Sequence, residues 1–141
     1  MTKPSWLFWV VAVLAVLWNG FGVVDYWLTS TGNEEYLKDF DPKIIDWIVS
    51  FPLWRDALWI VSVVAGALGG VALILRMRWA ALLFLINFVT LVLGFVGHDL
   101  LLANGVEMYG QLGLAVSVVI VALSAFFWWY ARRALRLGYI A

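Results

Sequence analysis

Long apolar runs separated by short polar connections make up most of this chain. Four runs, residues 6–29, 54–75, 79–103 and 109–131, reach the roughly 20 residues that a helix needs to cross a hydrocarbon core of about 30 Å. The connection after the second run is only Arg76-Met77-Arg78, and the one after the third is a turn around Asn104-Gly105. Such short turns require antiparallel neighbours. The pattern predicts an all-α membrane protein, an antiparallel bundle of four transmembrane helices in a single domain, residues 1–141.

The first connection, residues 30–53, is long enough to fold. Asp41-Pro42 is typical of an N-cap followed by proline at the first helical position. After it the apolar positions fall near one side of a helix, while Lys43 and Asp46 fall elsewhere; the apolar residues are Ile44, Ile45, Ile48 and Val49. This pattern predicts a short amphipathic helix lying on the outer membrane surface, within the first extracytoplasmic loop.

Acidic and basic residues are segregated between the two sides of the predicted spans. All nine acidic residues fall on one side. Six of the nine basic residues fall on the other side, at the N-terminus, the second connection and the C-terminal tail: Lys3, Arg76, Arg78, Arg132, Arg133 and Arg136. The positive-inside rule therefore predicts that both termini are cytoplasmic.

The composition supports a lipid environment. The chain is 65% hydrophobic and 13% charged, whereas soluble domains are typically about 25% charged. The lipid bilayer is therefore an expected partner. Balanced charge without a basic face gives no reason to expect nucleic acid, and the absence of cysteine excludes disulfides and thiolate metal sites. No cofactor is expected.

Among the ionisable residues inside the spans, Asp25, His98 and Asp99 need the closest examination, and all three lie near the outer interface. Both aspartates lie near the C-terminal ends of their helices, where the helix dipole disfavours an anion. Each should therefore have a partner, and Arg55, at the outer start of the second span, has the right depth. The sequence predicts a polar cluster of Asp25, Arg55, His98 and Asp99, with Gln111 as a candidate fifth member. A structural network and a site for ligand or proton binding both stay open, with His98 as the titrating group.

Other polar residues lie deeper in the spans. Asn19, Gly22 and Tyr26 recur on one face of the first span, which we expect to point inward. Asn19 and Asn87 are amides in hydrocarbon and need partners, which hydrogen bonds between helices would supply. The candidate ligand-binding residues are Asn19, Asp25, Tyr26, Arg55, His98, Asp99 and Gln111.

Enzyme chemistry has little support in the sequence. A single histidine cannot form a multi-histidine metal site, and no G-x-S-x-G or phosphate-binding glycine pattern occurs. No catalytic residue and no metal site are expected.

Several short motifs occur in a fixed order: Trp18-Asn19-Gly20, then Asp25, then Pro52-Leu53-Trp54, and later Arg76-Met77-Arg78-Trp79-Ala80. In this order they resemble a family of small bacterial inner-membrane proteins that often carry the label "sugar transporter". The likeness covers about the first two-thirds of the chain. It implies four spans and the bacterial cytoplasmic membrane, and it carries no established activity to individual residues.

Two functions remain in contention. The favoured one is an accessory or structural membrane protein whose acidic, aromatic outer loop faces a partner protein or lipid. The alternative is a transporter of small, sugar-like solutes or a ligand-binding bundle, acting as a homo-oligomer. A cavity running from the outer face past Tyr26 to Asn19 would favour the alternative, and tight packing there would favour the first.

Overall fold

The computed structural model describes all residues, 1–141, and contains helices joined by turns, with no strand. The third span has two parts, an α-helix and a π-helix that continues it. The helices are α1 (Trp6–Ser30), α2 (Glu34–Leu37), α3 (Pro42–Val49), α4 (Leu53–Ile74), α5 (Trp79–Val92) with its π-helical continuation (Leu93–Leu100), and α6 (Gly105–Arg136).

Four of these helices are long and apolar enough to cross a membrane: α1, α4, α5 with its π-helical part, and α6. Their outer faces carry large apolar side chains, such as Leu112 in α6, which is 79% exposed. Exposed apolar surface of this extent is typical of lipid-facing protein. The predicted spans are confirmed to within a few residues, except that α6 begins before residue 109 and continues to Arg136.

The helices pack in chain order. The helix α1 lies against α4, α4 against α5, and α5 against α6. Consecutive spans are antiparallel, because the start of α4 contacts the end of the third span while its last residues lie near the start of α5. The backbones of α1 and α6 hardly approach each other. The bundle is thus least closed between its first and last helices.

One end of the bundle, here called the Arg76 end, is held together by backbone and arginine hydrogen bonds. Arg76 donates from Nε to the carbonyl of Tyr139 at 2.7 Å and from Nη2 to that of Thr2 at 2.5 Å. Thr2 also donates its backbone N–H to Gly138, and Ala141 donates its own to the Arg76 carbonyl. Both terminal segments and the turn between α4 and α5 therefore meet here.

The apolar core lies in the same half of the molecule. Its largest members include Phe8, Phe84 and Phe127, and the last two stack at 5.6 Å between ring centroids. Small residues let the helices approach: a Cβ at Gly70 would lie 3.0 Å from the backbone nitrogen of Val16. Packing within the bundle thus explains the glycine spacing in the second span.

The opposite end, here called the Arg55 end, carries α2 and α3. The Asp41 side chain accepts a hydrogen bond from the backbone N–H of Lys43, and Pro42 occupies the first turn of α3. Trp47 ties α3 to the bundle by donating from its indole nitrogen to the carbonyl of Ala103 at 2.9 Å. As a result α3 lies over the Arg55 end.

Candidate functional site

A buried ion pair joins α4 to the end of the third span. Arg55 donates from Nε to Oδ1 of Asp99 at 2.8 Å and from Nη2 to Oδ2 at 2.7 Å. The Asp99 side chain is fully buried, and that of Arg55 is 11% exposed. The two parallel hydrogen bonds match the planar guanidinium to the carboxylate, which is the strongest geometry for such a pair.

Asp99 accepts two further hydrogen bonds. The Tyr109 hydroxyl donates to Oδ2 at 2.7 Å, and His98 Nδ1 lies 2.7 Å from Oδ1. An ionised carboxylate only accepts, so His98 Nδ1 carries the hydrogen and donates it. Four donors thus surround one carboxylate, and this satisfies a charge that burial would otherwise destabilise.

The local backbone makes room for this cluster. Residues Leu93–Leu100 form a π-helix, a wider turn that is often found at functional sites. Within it Gly94 lies against the guanidinium, and a Cβ there would be 3.0 Å from Arg55 Cζ. The His98 ring packs edge-on against Phe51 and Trp54, at centroid distances of 4.8 and 5.1 Å. The cluster is therefore rigidly enclosed.

In α6, Gly110 breaks the helix with φ +68°. This is the left-handed region, which glycine adopts without strain. The first turn of α6 is therefore angled away from the rest of the helix, and it carries Tyr109, whose hydroxyl reaches Asp99.

Beside this cluster lies a cavity of about 350 Å³. All four long helices and α3 contribute to its walls, and most of the lining is apolar. Arg55 and Tyr109 stand near one end, and Asn19, Asn87 and Ser124 line the deeper part. Its volume lies in the range of pockets that hold small molecules, about 300 to 1,000 Å³.

The deeper part contains a polar group without a partner. Asn87 donates from Nδ2 to the backbone carbonyl of Ser62 at 2.8 Å and to its hydroxyl at 3.1 Å, which settles the orientation of the amide. Asn87 Oδ1 then has no hydrogen-bond partner, although the residue is only 6% exposed. Leaving a buried acceptor unpaired costs about 1 to 3 kcal/mol. Such a group needs an explanation in a native structure.

The cavity opens at the side of the bundle. Phe21 of α1 and Val116 of α6 both line it, yet they are 59% and 50% exposed. They lie on the two long helices whose backbones hardly approach each other, although Phe8 of α1 packs on Tyr130 of α6 near the Arg76 end. The opening therefore faces the surroundings of the bundle between α1 and α6, while Ile48 of α3 and Phe51, which follows that helix, line the cavity at the Arg55 end.

The structure brings together three of the residues predicted to form the polar cluster: Arg55, His98 and Asp99. The prediction that Asp25 belongs to it is wrong. Asp25 instead accepts a hydrogen bond from the Tyr36 hydroxyl. Burial, followed by this bond to the carboxylate, raises the pKa of Tyr36 to about 12. The helix α2 therefore supplies the partner that the sequence suggested would come from α4.

Gln111 also lies outside the cluster, because its side chain is exposed; Tyr109, two residues earlier, contacts Asp99 instead. Tyr26 does not line the cavity. It packs against Trp59 at 4.9 Å between ring centroids and donates to Asp56 Oδ2 at 3.1 Å. The predicted inward face of α1 thus holds for Asn19 and Gly22, which line the cavity, while Tyr26 turns toward α4.

Of the seven candidate ligand-binding residues, the cavity is lined by Asn19, Asp25 and Arg55, but not by Tyr26, His98, Asp99 or Gln111. The sequence reasoning missed Tyr109, Tyr36 and the bond between Ser62 and Asn87. Tyr109 could have been found as a phenol at the start of the fourth span, at the depth of Asp99. Nothing in the sequence indicates the tilt of the first turn of α6 that lets Tyr109 reach Asp99.

Comparisons of the chain with protein-family models, with curated proteins and with solved structures found no match.

Proposed function

We propose that this protein is a ligand-binding bundle that holds a small molecule in the cavity between its four long helices. The observation that carries the proposal is the unpartnered side-chain oxygen of Asn87, a residue that lines a cavity of about 350 Å³. A bound molecule that donates a hydrogen bond would satisfy this acceptor. The apolar lining, with a few placed polar groups, is typical of small-molecule sites.

The ion pair supports the same assignment. Arg55 holds Asp99 with Nε and Nη2, which leaves Nη1 outside the ion pair. Arg55 lines the cavity, so a fixed donor is available near one end. Because Asp99 balances its charge, the arginine offers a hydrogen bond without requiring an anionic ligand.

A ligand-binding role is preferred to that of an accessory protein presenting its outer loop. Tight packing from the outer face past Tyr26 to Asn19 was the expectation for the accessory role. A cavity lies at Asn19 instead, although it opens at the side of the bundle and Tyr26 does not line it. Catalysis is not part of the proposal, since the cavity's one lining carboxylate, Asp25, is engaged by Tyr36. Movement of the bound solute across the membrane would be the natural extension of binding.

The proposed location is the bacterial cytoplasmic membrane, as the resemblance implies. The Arg55 end would face outward and the Arg76 end the cytoplasm, because six of nine basic residues lie at the latter. One chain supplies the lining of the cavity, so binding would not require an oligomer.

The test compares two variants at the same depth in α6. Ser117 lines the cavity, whereas Val118 is 59% exposed and does not. Purified protein in nanodiscs would be analysed by native mass spectrometry for a retained small molecule. We expect Ser117→Phe, which fills the cavity, to lose it and Val118→Phe to keep it. Equal retention of the small molecule in both variants would contradict the proposal. So would a wild-type protein that retains no small molecule and, in vesicles, takes up no more solute than empty vesicles do.

A further inference from the structure

The deeper part of the cavity presents hydrogen-bond acceptors rather than donors. The hydroxyls of Ser62, Thr90, Ser117 and Ser124 each donate to a backbone carbonyl, at 2.6 to 3.2 Å. Asn87 directs its amide nitrogen to Ser62. What these groups can still offer a ligand is therefore oxygen lone pairs, foremost Asn87 Oδ1.

The amide of Asn19 adds to this arrangement. It donates to the carbonyl of Ala15 at 2.8 Å, while its oxygen has no partner among the protein's hydrogen bonds. A Cβ at Gly66 would overlap that oxygen and would lie 3.0 Å from Asn87 Nδ2. The absence of a side chain at Gly66 thus lets two amides from different helices meet at one depth.

The side opening is apolar at the same time. Phe21 and Val116 flank it, and Trp18 also lines the cavity while being 39% exposed. In a bilayer such a gap faces acyl chains rather than water. A molecule that fills both parts of the site needs a polar head for the acceptors and an apolar body for the gap.

Resting on the proposed function, we infer that the ligand is an amphiphile whose head donates hydrogen bonds to Asn87 and whose apolar body lies between α1 and α6. The head is a hydroxyl or a primary amine, since both donate to neutral oxygens. The Asp25 carboxylate in the cavity lining distinguishes the two, because it attracts an ammonium group and not a hydroxyl.

Four probes with one aromatic body test the head group: phenethyl alcohol, phenethylamine, phenethyl methyl ether and ethylbenzene. The first two donate hydrogen bonds, the ether only accepts, and the hydrocarbon does neither. Binding of each probe is measured by equilibrium dialysis against nanodiscs that contain either the wild-type protein or Ser117→Phe. The difference between the two gives binding in the cavity, because the probe partitions equally into the lipid of both.

We expect the alcohol or the amine to bind about tenfold more tightly than the ether, equal to about 1.4 kcal/mol. Asn87→Leu should remove this preference and keep the ether binding, and retained ether binding shows that the variant is folded. If Asn87→Leu does not fold, Asn87→Met is used in its place. If the amine is the better probe, Asp25→Asn should weaken the amine alone.

Ether binding as tight as that of the alcohol and the amine, or a preference that survives Asn87→Leu, would overturn the inference and leave the cavity as a ligand site. Failure of all four probes would count against the proposed function itself. A second copy of the chain could instead cover the gap. Efficient disulfide cross-linking between copies carrying Phe21→Cys and Val116→Cys would show this and also overturn the inference.

Discussion

The guanidinium of Arg55 and the carboxylate of Asp99 form two hydrogen bonds, at 2.8 and 2.7 Å, across residues that are 44 positions apart in the chain. The pair ties the first turn of α4 to the end of the third span. It also lies beside the cavity, so one interaction fixes both the helix ends and one end of the site.

Removing one partner of this pair should strongly destabilise the protein. Arg55→Met leaves a buried carboxylate without its cation, and the expected loss is about 3 to 5 kcal/mol in free energy of unfolding. The loss is measured by unfolding the protein, dissolved in a mild detergent, with increasing amounts of a denaturing detergent. The double variant Arg55→Met, Asp99→Leu should lose less free energy of unfolding than the two single variants together, because it leaves no unpaired buried charge.

An exposed pair supplies the control. Lys38 Nζ lies 2.5 Å from Glu35 Oε1, and the two side chains are 56% and 83% exposed. Lys38→Met should change the free energy of unfolding by less than about 0.5 kcal/mol. Equal losses of free energy of unfolding in Arg55→Met and Lys38→Met would contradict the claim that Arg55 and Asp99 form a buried ion pair.

Tyr36 should give stability a dependence on alkaline pH. Its folded-state pKa of about 12 lies above the unfolded value of about 10. Its contribution is therefore fully present below pH about 10 and is lost as the pH rises toward 12. The stability difference between the wild-type protein and Tyr36→Phe should be constant at lower pH and shrink over that interval. A difference independent of pH up to 12 would show that the bond to Asp25 is not formed.

The positions of the spans could be predicted from the sequence because twenty apolar residues in a row have few alternatives to a membrane helix. Arg55 and Asp99 could be paired by depth alone, since each lies close to the same end of its span. Depth does not give rotation about the helix axis. This is why Asp25, at a similar depth, was assigned to the wrong partner, and why Tyr26 was expected to line the cavity.

Other features depend on backbone geometry that apolar patterning does not encode. The π-helical turn at Leu93–Leu100 and the break at Gly110 together bring Tyr109 to Asp99. A glycine near a helix start can equally be a regular helical residue. Gln111 was therefore as plausible a cluster member as Tyr109 from the sequence alone.

Arg76 should matter more for stability than its neighbour Arg78. The Arg76 side chain bonds to two carbonyls from the terminal segments, whereas the Arg78 side chain is exposed and makes no hydrogen bond within the protein. We expect Arg76→Ala to lose about 1 to 3 kcal/mol and to expose the C-terminal segment to protease. Arg78→Ala should behave as the wild-type protein. The same protease sensitivity in both variants would contradict this role.

The contact between α1 and α4 depends on Gly70. Because a Cβ there would lie 3.0 Å from the Val16 backbone, Gly70→Leu should force the helices apart and lower the thermal unfolding temperature. Gly20→Leu is the matched control, since a Cβ at Gly20 meets nothing within 4 Å. An unchanged unfolding temperature for Gly70→Leu would mean that the two helices are not in contact.

The most direct measurement of the central claim, that an accessible cavity lies inside the bundle, is the reactivity of single cysteines. The chain contains no cysteine, so Ser117→Cys and Val118→Cys each introduce one thiol at nearly the same depth but on different faces of α6, about 100° apart. In nanodiscs, a small membrane-permeant maleimide can reach the side opening through the lipid. It should modify the thiol at position 117 and leave the lipid-facing one at position 118 largely unmodified, because surrounding hydrocarbon disfavours the reactive thiolate. Equal protection of both thiols would mean that no accessible cavity lies beside position 117, and the proposed site would not exist.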